Sequence, residues 1–252
     1  MVKLYYQFIV LASSIHTRYH PVMDWPAQLT LFEPLDFAAV AINLALWLIV
    51  GWRVEHPPAG RPSVSRIMAE YRREWMRQMI TREPRIFDAQ TVSTLRQGTS
   101  FFASTSVIAI GGTLALMGNA DSLADVAQDL TTEAQPRIVW EIKLLLVVFF
   151  LTNAFLKFAW SNRLFGYCSV VMAAVPNDPA HGDAIRMADK AAELNITAAR
   201  SFNRGLRSVY FALASVAWLA GAVPLIIGAF ITLIVIWRRE FASLSREILL
   251  KT

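Results

Sequence analysis

Residues 140–160 have the sequence WEIKLLLVVFFLTNAFLKFAW, in which an almost continuous apolar run lies between two tryptophans. A helix separates Trp140 from Trp160 by about 30 Å, because each residue adds about 1.5 Å along the helix axis. That distance matches the hydrocarbon thickness of a bilayer, and tryptophan is enriched at both membrane interfaces. The stretch therefore predicts a transmembrane helix.

Three further apolar runs have the character of membrane spans: 35–52, 100–117 and 208–237. The last is ambiguous, since one helix over it would be about 45 Å long, whereas two helices would each be short. Gly221 followed by Pro224 has the order of a helix stop and a helix start, which favours a hairpin. The predicted fold class is all-α, a polytopic transmembrane helix bundle of four to five spans with helical cytoplasmic extensions.

Charge is distributed unevenly between the spans. The segment 53–99 contains nine arginines, whereas 118–139 contains one arginine and four acidic residues. By the positive-inside rule the first segment is cytoplasmic and the second is an external acidic loop. The segment 161–207 returns to the cytoplasm and contains six lysines and arginines. We expect five crossings, with the N-terminus outside and the tail 238–252 inside.

The composition supports a membrane location. Hydrophobic residues make up 55% of the 252 positions and charged residues 17%, a balance that is unusual for a soluble domain. The net charge of +5 comes from arginines that lie between the spans, so we expect the lipid bilayer as a partner and no nucleic acid. The single cysteine, Cys168, excludes an intramolecular disulfide.

The N-terminal extension 1–34 contains a short apolar run, 4–12, that loosely imitates a secretory signal. This run is too short to cross a bilayer, and either an interfacial segment or a true start at Met23 would explain it. His16 and His20 have helical metal-ligand spacing, but no third ligand lies nearby, so no metal site is expected. Four acidic residues of the external loop recur every four positions and favour a solvated helix face: Asp121, Asp125, Asp129 and Glu133.

Two cytoplasmic segments have helical periodicity. The segment 64–81 predicts a basic amphipathic helix at the inner leaflet or against the bundle, with Ile67, Tyr71 and Trp75 buried and the arginines, Arg72 among them, largely off that face. A second helix is predicted to pack closely against a neighbour through a seam of mostly small residues. That seam consists of Ala184, Ala188, Ala191, Asn195, Ala198, Phe202, Gly205 and Val209.

Seven short blocks carry a resemblance to a known family: Tyr71–Met76, Arg85–Asp88, Ser100–Ser106, Trp140–Leu144, Phe158–Ser161, Asn203–Gly205 and Arg238–Phe241. In this order they resemble domain of unknown function 599, a family of bacterial and plant integral membrane proteins. The resemblance covers roughly residues 35–245. It implies a polytopic membrane fold, and with it we expect the bacterial cytoplasmic (inner) membrane. It implies no established activity, substrate or cofactor.

Small residues follow one face of the second span: Ser100, Ser104, Gly111 and Ala115. Such a face allows close helix packing in lipid, and it is also compatible with a pore lining. Three arginines near the inner interface are candidates for a basic mouth or for contacts with lipid headgroups: Arg96, Arg204 and Arg207.

Polar residues inside the spans are candidate functional residues, because burying them in lipid is costly. Glu141, Lys143 and Lys157 lie near the interfacial tryptophans and can reach an interface by snorkelling, which favours anchoring over an inward-facing site. Asn43 and Asn153 lie deeper and favour hydrogen bonds to neighbouring helices.

The sequence contains no catalytic motif, so we expect neither an enzyme nor a cofactor. A homo-oligomeric channel or transporter-like protein for a small, anionic solute is the favoured interpretation. The alternatives are a non-catalytic accessory or scaffold subunit of a larger membrane complex and a binder of anionic lipids.

Overall fold

The computed structural model describes residues 30–119 and 136–251. Within these residues the chain forms seven α-helices, two short 3₁₀ helices and no strand. The α-helices are α1 (Pro34–Glu55), α2 (Val64–Gln78), α3 (Ile86–Gly118), α4 (Arg137–Ala173), α5 (Ala184–Val216), α6 (Ala222–Phe241) and α7 (Leu244–Leu250). The predicted all-α helical bundle is confirmed.

In the part of the chain that the structure describes, four helical segments are long and apolar enough to cross a membrane. They are α1, α3, α4 and the segment Ala222–Leu250, which contains α6. α3 runs for 33 residues without interruption, so the helix that starts after Arg85 continues directly into the second apolar run. The predictions for His16 and His20, and for the acidic row of the external loop, lie outside the described residues.

α4 and α5 form the centre of the bundle and pack together along most of their lengths. The alanines of the predicted seam and Asn195 are completely buried. Hydroxyl groups join the two helices, since Ser161 Oγ donates to the Ala198 carbonyl at 2.7 Å and Ser201 Oγ donates to the Lys157 carbonyl at 2.9 Å. The predicted close packing of this seam is confirmed.

At Gly205 the backbone of α5 lies very close to a side chain of α4. A Cβ atom added there would lie 2.6 Å from the Phe158 ring. We expect Gly205→Ala to destabilise the protein by about 1–3 kcal/mol, because a buried aromatic ring would have to move to admit the methyl group. Thermal unfolding in detergent checks this. Gly98→Ala in α3 is the matched control, since its added Cβ meets nothing within 4 Å and alanine favours a helix. Equal stability of both variants would contradict the assigned packing.

The apolar run 208–237 reverses direction at Gly221. This glycine has φ 118°, a conformation that side-chain-bearing residues rarely adopt. Beyond it α6 runs back along α5, so that a Cβ atom at Gly228 would lie 3.4 Å from the Ala214 carbonyl oxygen. The run therefore forms two antiparallel helices rather than one long helix. The number of membrane crossings and their orientation stay predictions.

α2 packs on α5, but with a different face from the predicted one. Ala69 and Met76 are buried, whereas Tyr71 is 50% exposed and Ile67 and Trp75 are only half-buried. The face is rotated because Arg72 turns toward the bundle and donates to the Asn195 side chain of α5. The prediction that Arg72 lies largely off the packed face is therefore wrong, and Tyr71 is not buried against the bundle. Burial of Tyr71 in the inner leaflet stays a prediction.

Candidate anion-binding cleft

A cleft of about 250 Å³ lies where four helices meet at one end of the bundle. Its walls come from the end of α1, the first two turns of α2, the middle of α5 and the end of α6. We call this end of the bundle the basic end. A side-chain hydrogen bond joins two of these helices: Ser63 caps the N-terminus of α2 and its hydroxyl donates to the Val54 carbonyl of α1 at 2.8 Å.

The lining of the cleft carries a surplus of three positive charges, from five arginines and two glutamates. The charged residues are Glu55, Arg66, Arg72, Arg200, Arg207, Arg239 and Glu240. Low-dielectric walls strengthen the field of such a cluster, so the cleft attracts anions.

Glu55 is held by two arginines of α5. Arg207 Nη2 donates to Glu55 Oε1 at 2.6 Å, and Arg204 Nε donates to the same oxygen at 2.8 Å. The Arg207 side chain is 8% exposed and that of Glu55 13%, so this ion pair is well shielded from water. The hydrogen bond to Glu55 also raises the pKa of Arg204. The carboxylate of Glu55 is thus occupied by its own partners.

Glu240 lies at the N-terminus of α2. Its carboxylate accepts hydrogen bonds from the Ser65 backbone N–H at 3.0 Å and from Ser65 Oγ at 3.1 Å. A negative charge is favourable there, because free N–H groups and the helix dipole give the first turn a partial positive charge. Asn203 Nδ2 donates to Ser65 Oγ at 3.4 Å and links this group to α5.

The other four arginines of the cleft lack a salt-bridge partner among the residues that the structure describes. Within residues 30–119 and 136–251, no carboxylate lies within salt-bridge distance of Arg66, Arg72, Arg200 or Arg239. Arg72 is the most enclosed, and burial lowers the pKa of its guanidinium, which nevertheless stays charged. Its hydrogen bond to the Asn195 amide holds the side chain in place without neutralising it. The cleft therefore presents one enclosed guanidinium group, that of Arg72, and three exposed ones, those of Arg66, Arg200 and Arg239.

Comparison with known families gives one match. Residues 38–245 match the family described as Protein of unknown function, DUF599. The chain belongs to this family. The match agrees with the resemblance found from the sequence blocks. Comparisons with curated proteins and with solved structures found nothing that matches.

Three of the seven blocks that resemble the DUF599 family meet at the cleft. Tyr71–Met76 contributes Arg72, Asn203–Gly205 contributes Asn203, and Arg238–Phe241 contributes Arg239 and Glu240. The sequence therefore contained a signal for this site, but the signal did not show that the three blocks are neighbours in space.

The three predicted arginines of the basic mouth do not lie in one place. Arg207 lines the cleft and Arg204 joins it through Glu55. Arg96 lies instead in a separate, open groove between α3 and α4. There its guanidinium lies above Gly166, and its carbonyl accepts a hydrogen bond from Asn162 at 3.3 Å. Within one chain the three arginines therefore lie in two places, and whether they form a basic mouth or contact lipid headgroups stays a prediction.

The predicted small face of α3 points away from the bundle. Ser104, Gly111 and Ala115 are exposed, because α3 packs mainly on α4 through the face that contains Ser106 and Thr113. Ser100 lies at the edge of that contact and its Oγ accepts from Asn162 Nδ2 at 2.5 Å. Whether the exposed face lines a pore or packs on another helix stays a prediction.

The polar residues of the spans have three different environments. Asn43 donates to Ser215 Oγ at 3.0 Å and Asn153 accepts from Ser208 Oγ at 3.0 Å, so the predicted bonds to neighbouring helices are confirmed. Glu141 pairs with Arg137 one turn earlier at 2.7 Å, and the Lys157 side chain is half-buried.

Lys143 requires a correction. Its side chain does not snorkel to an interface, since the residue is only 3% exposed. Lys143 lies three positions after Trp140, on the same face of α4, and its Nζ lies 5.0 Å from the centre of the Trp140 ring. This face of α4 packs against the bundle, and the indole ring is one of the groups that stabilise the ammonium there.

Several residues of the cleft were missed as site residues: Glu55, Ser65, Arg66, Arg72, Arg200, Asn203, Arg239 and Glu240. Each is polar and lies outside the predicted spans, so the sequence favours a solvated or interfacial position for it. Among the residues that the structure describes, no group of three His, Cys, Asp or Glu side chains could hold a metal ion.

Proposed function

We propose that this membrane protein binds a phosphate-type anion in the cleft at its basic end, on the cytoplasmic side of a bacterial inner membrane. The observation that supports the proposal is a set of four arginines around one cleft, Arg66, Arg72, Arg200 and Arg239, for which the described residues contain no carboxylate within salt-bridge distance. Arg72 is the enclosed member of the set, and burying its charge is costly, because the Asn195 amide supplies a hydrogen bond but no opposite charge. A bound anion would supply that compensation.

The shape of the guanidinium group favours an oxyanion. Its planar fork donates two parallel hydrogen bonds to a phosphate or carboxylate, and these charge-assisted bonds are about twice as strong as neutral ones. A cleft of about 250 Å³ is small for a drug-sized ligand but has room for one phosphate group and several waters. The hydroxyl and amide groups of Ser65 and Asn203 add directional contacts at the wall.

Titration of the detergent-purified chain with inorganic phosphate, followed by calorimetry, tests the proposal. We expect Arg72→Gln and Arg200→Gln to weaken phosphate binding by about tenfold each, because each removes a charge-assisted hydrogen bond. Arg200 is exposed, so its variant keeps the fold even if Arg72→Gln does not. The matched control is Arg186→Gln, an arginine of the same helix that pairs with Asp183 outside the cleft. Unchanged affinity in the Arg200 variant would refute the proposal.

The exposed face of α3 supports a second candidate function. α3 exposes Ser104, Gly111 and Ala115, and apart from α4 it lacks extensive contacts within the described residues. Small residues in lipid favour close helix contacts. We propose that this face joins copies of the chain into a homo-oligomer, which could form a path for small anions. The alternative occupant is a subunit of a larger membrane complex, to which this chain would be an accessory protein.

Cysteine crosslinking in membranes distinguishes these occupants. In a Cys168→Ser background, we expect Ser104→Cys to form a dimer of the chain and Leu114→Cys to form much less, although both positions are exposed in one chain. Anion flux in liposomes that contain the crosslinked protein then separates a channel from a purely structural contact. Absence of the Ser104 dimer would contradict the homo-oligomer, and a crosslink to a different protein would favour the accessory role.

A further inference from the structure

The wall of the cleft that faces the apolar part of the bundle is not closed. A narrow crevice of about 20 Å³ continues from it between α5 and α6. The crevice shares Asn203, Arg207, Arg239 and Glu240 with the cleft, and it adds Leu206, Tyr210 and Ile236. The side chains that the cleft and the crevice share are thus polar, and within about one turn of α5 and of α6 those that line only the crevice are apolar or aromatic.

Arg239 and Tyr210 mark this transition. Arg239 Nη1 donates to the Tyr210 hydroxyl at 3.0 Å across the two helices. Both side chains have an apolar stem or ring and a polar tip, the character of residues at a membrane interface. Arg239 therefore lies where the anion-binding cleft meets the boundary of the bilayer.

An exposed apolar path leads away from this point along the membrane-facing surface. On α6, Ile231 and Val235 lie on the same face as Arg239, because the three are spaced by four residues. On α5, Leu213 lies on the face of Tyr210, one turn further from the basic end. All three apolar side chains are more than half exposed in the single chain. Exposed apolar side chains next to a basic cleft have the chemistry of an acyl-chain contact.

We infer that the anion held in the cleft is the headgroup of a phospholipid from the adjacent leaflet, with its acyl chains against the α5–α6 surface. This inference rests on the proposed function and names its ligand class. The surplus of positive charge favours a headgroup with an exposed phosphomonoester, such as phosphatidate, which can approach several guanidinium groups at once. A choline headgroup is disfavoured, because its quaternary ammonium would meet the same arginines.

Native mass spectrometry of the delipidated full chain tests the inference. The chain is titrated with phosphatidate and with phosphatidylcholine of identical acyl chains, and in a separate arm with inorganic phosphate. We expect phosphatidate to bind at least about tenfold more tightly than either phosphatidylcholine or inorganic phosphate, since only phosphatidate uses both the arginines and the apolar path.

The matched variants are Arg239→Gln and Arg238→Gln. The two arginines are adjacent in α6 and both exposed, but only Arg239 lines the cleft and the crevice. We expect Arg239→Gln to lose the preference for phosphatidate and Arg238→Gln to keep it. An equal effect of the two variants would overturn the inference, because the lipid would then bind elsewhere.

The two proposals fail separately. If inorganic phosphate binds as tightly as phosphatidate, and Arg200→Gln weakens both, the cleft binds phosphate from solution and the lipid inference is overturned while the proposed function stands. If neither phosphate nor phosphatidate binds, both are overturned.

Discussion

Glu55→Ala is expected to destabilise the protein by about 3–5 kcal/mol, the range measured when one partner of a buried ion pair is removed. Glu55 accepts hydrogen bonds from Arg204 and Arg207, and the Arg207 side chain is only 8% exposed. Without the carboxylate, Arg207 would stay charged among other arginines of the cleft and could not reach bulk water. The free energy of unfolding in mixed detergent micelles, followed by circular dichroism, measures the loss.

Arg204→Ala distinguishes the Glu55–Arg204 pair from the Glu55–Arg207 pair. The Arg204 side chain is 46% exposed, and its removal leaves Glu55 paired with Arg207. We therefore expect a loss well below that of Glu55→Ala. Added inorganic phosphate is expected to restore part of the stability of Glu55→Ala, because the anion would neutralise the same arginines. Equal losses for the two variants would show that burial of Arg207 is not the source of the effect.

Hydropathy and charge were sufficient to predict the helical spans, because a segment in lipid has to be long, apolar and helical. The α4–α5 seam was also predictable, since a regular spacing of alanines has few explanations other than close helix contact. The reversal at Gly221 was suggested by the sequence as one of two alternatives, and the contact between Gly228 and Ala214 selects it. These features depend on residues that are near each other in the chain.

The cleft depends on residues that are distant in the chain, and for that reason the sequence did not predict it. Arg72 was assigned to the solvated side of α2, since hydrophobic periodicity treats every arginine as polar surface. Its partner, Asn195, is 123 positions away and fixes the rotation of the whole helix. Lys143 was misassigned for a similar reason, because the position of a lysine in a span does not show whether a ring such as that of Trp140 covers it.

Arg85 connects the start of α3 to the end of α4. Its Nη1 donates to the Val175 carbonyl at 2.7 Å and its Nη2 donates to the Pro176 carbonyl at 2.9 Å. Longer bonds reach the carbonyls of Met172 and Ile80. Met172 is in the last turn of α4, where carbonyls have no partner within the helix, and Val175 and Pro176 follow its end at Ala173. A cation at this position also offsets the negative end of the helix dipole. One side chain therefore holds the chain where α4 ends.

Arg85→Ala is expected to cost about 3 kcal/mol or more, because it removes two short charge-assisted hydrogen bonds, and it leaves buried carbonyls such as that of Val175 unpaired. Arg85→Lys keeps the charge, but a single ammonium group cannot replace the two guanidinium nitrogens that donate to different carbonyls. We therefore expect an intermediate loss of stability. Arg186→Ala, which removes an exposed arginine paired with Asp183 three residues away, should leave stability unchanged within error. The same micellar unfolding measurement compares the three variants. If Arg85→Ala were as stable as Arg186→Ala, the end of α4 would be held by other contacts, and the assigned role of Arg85 would be wrong.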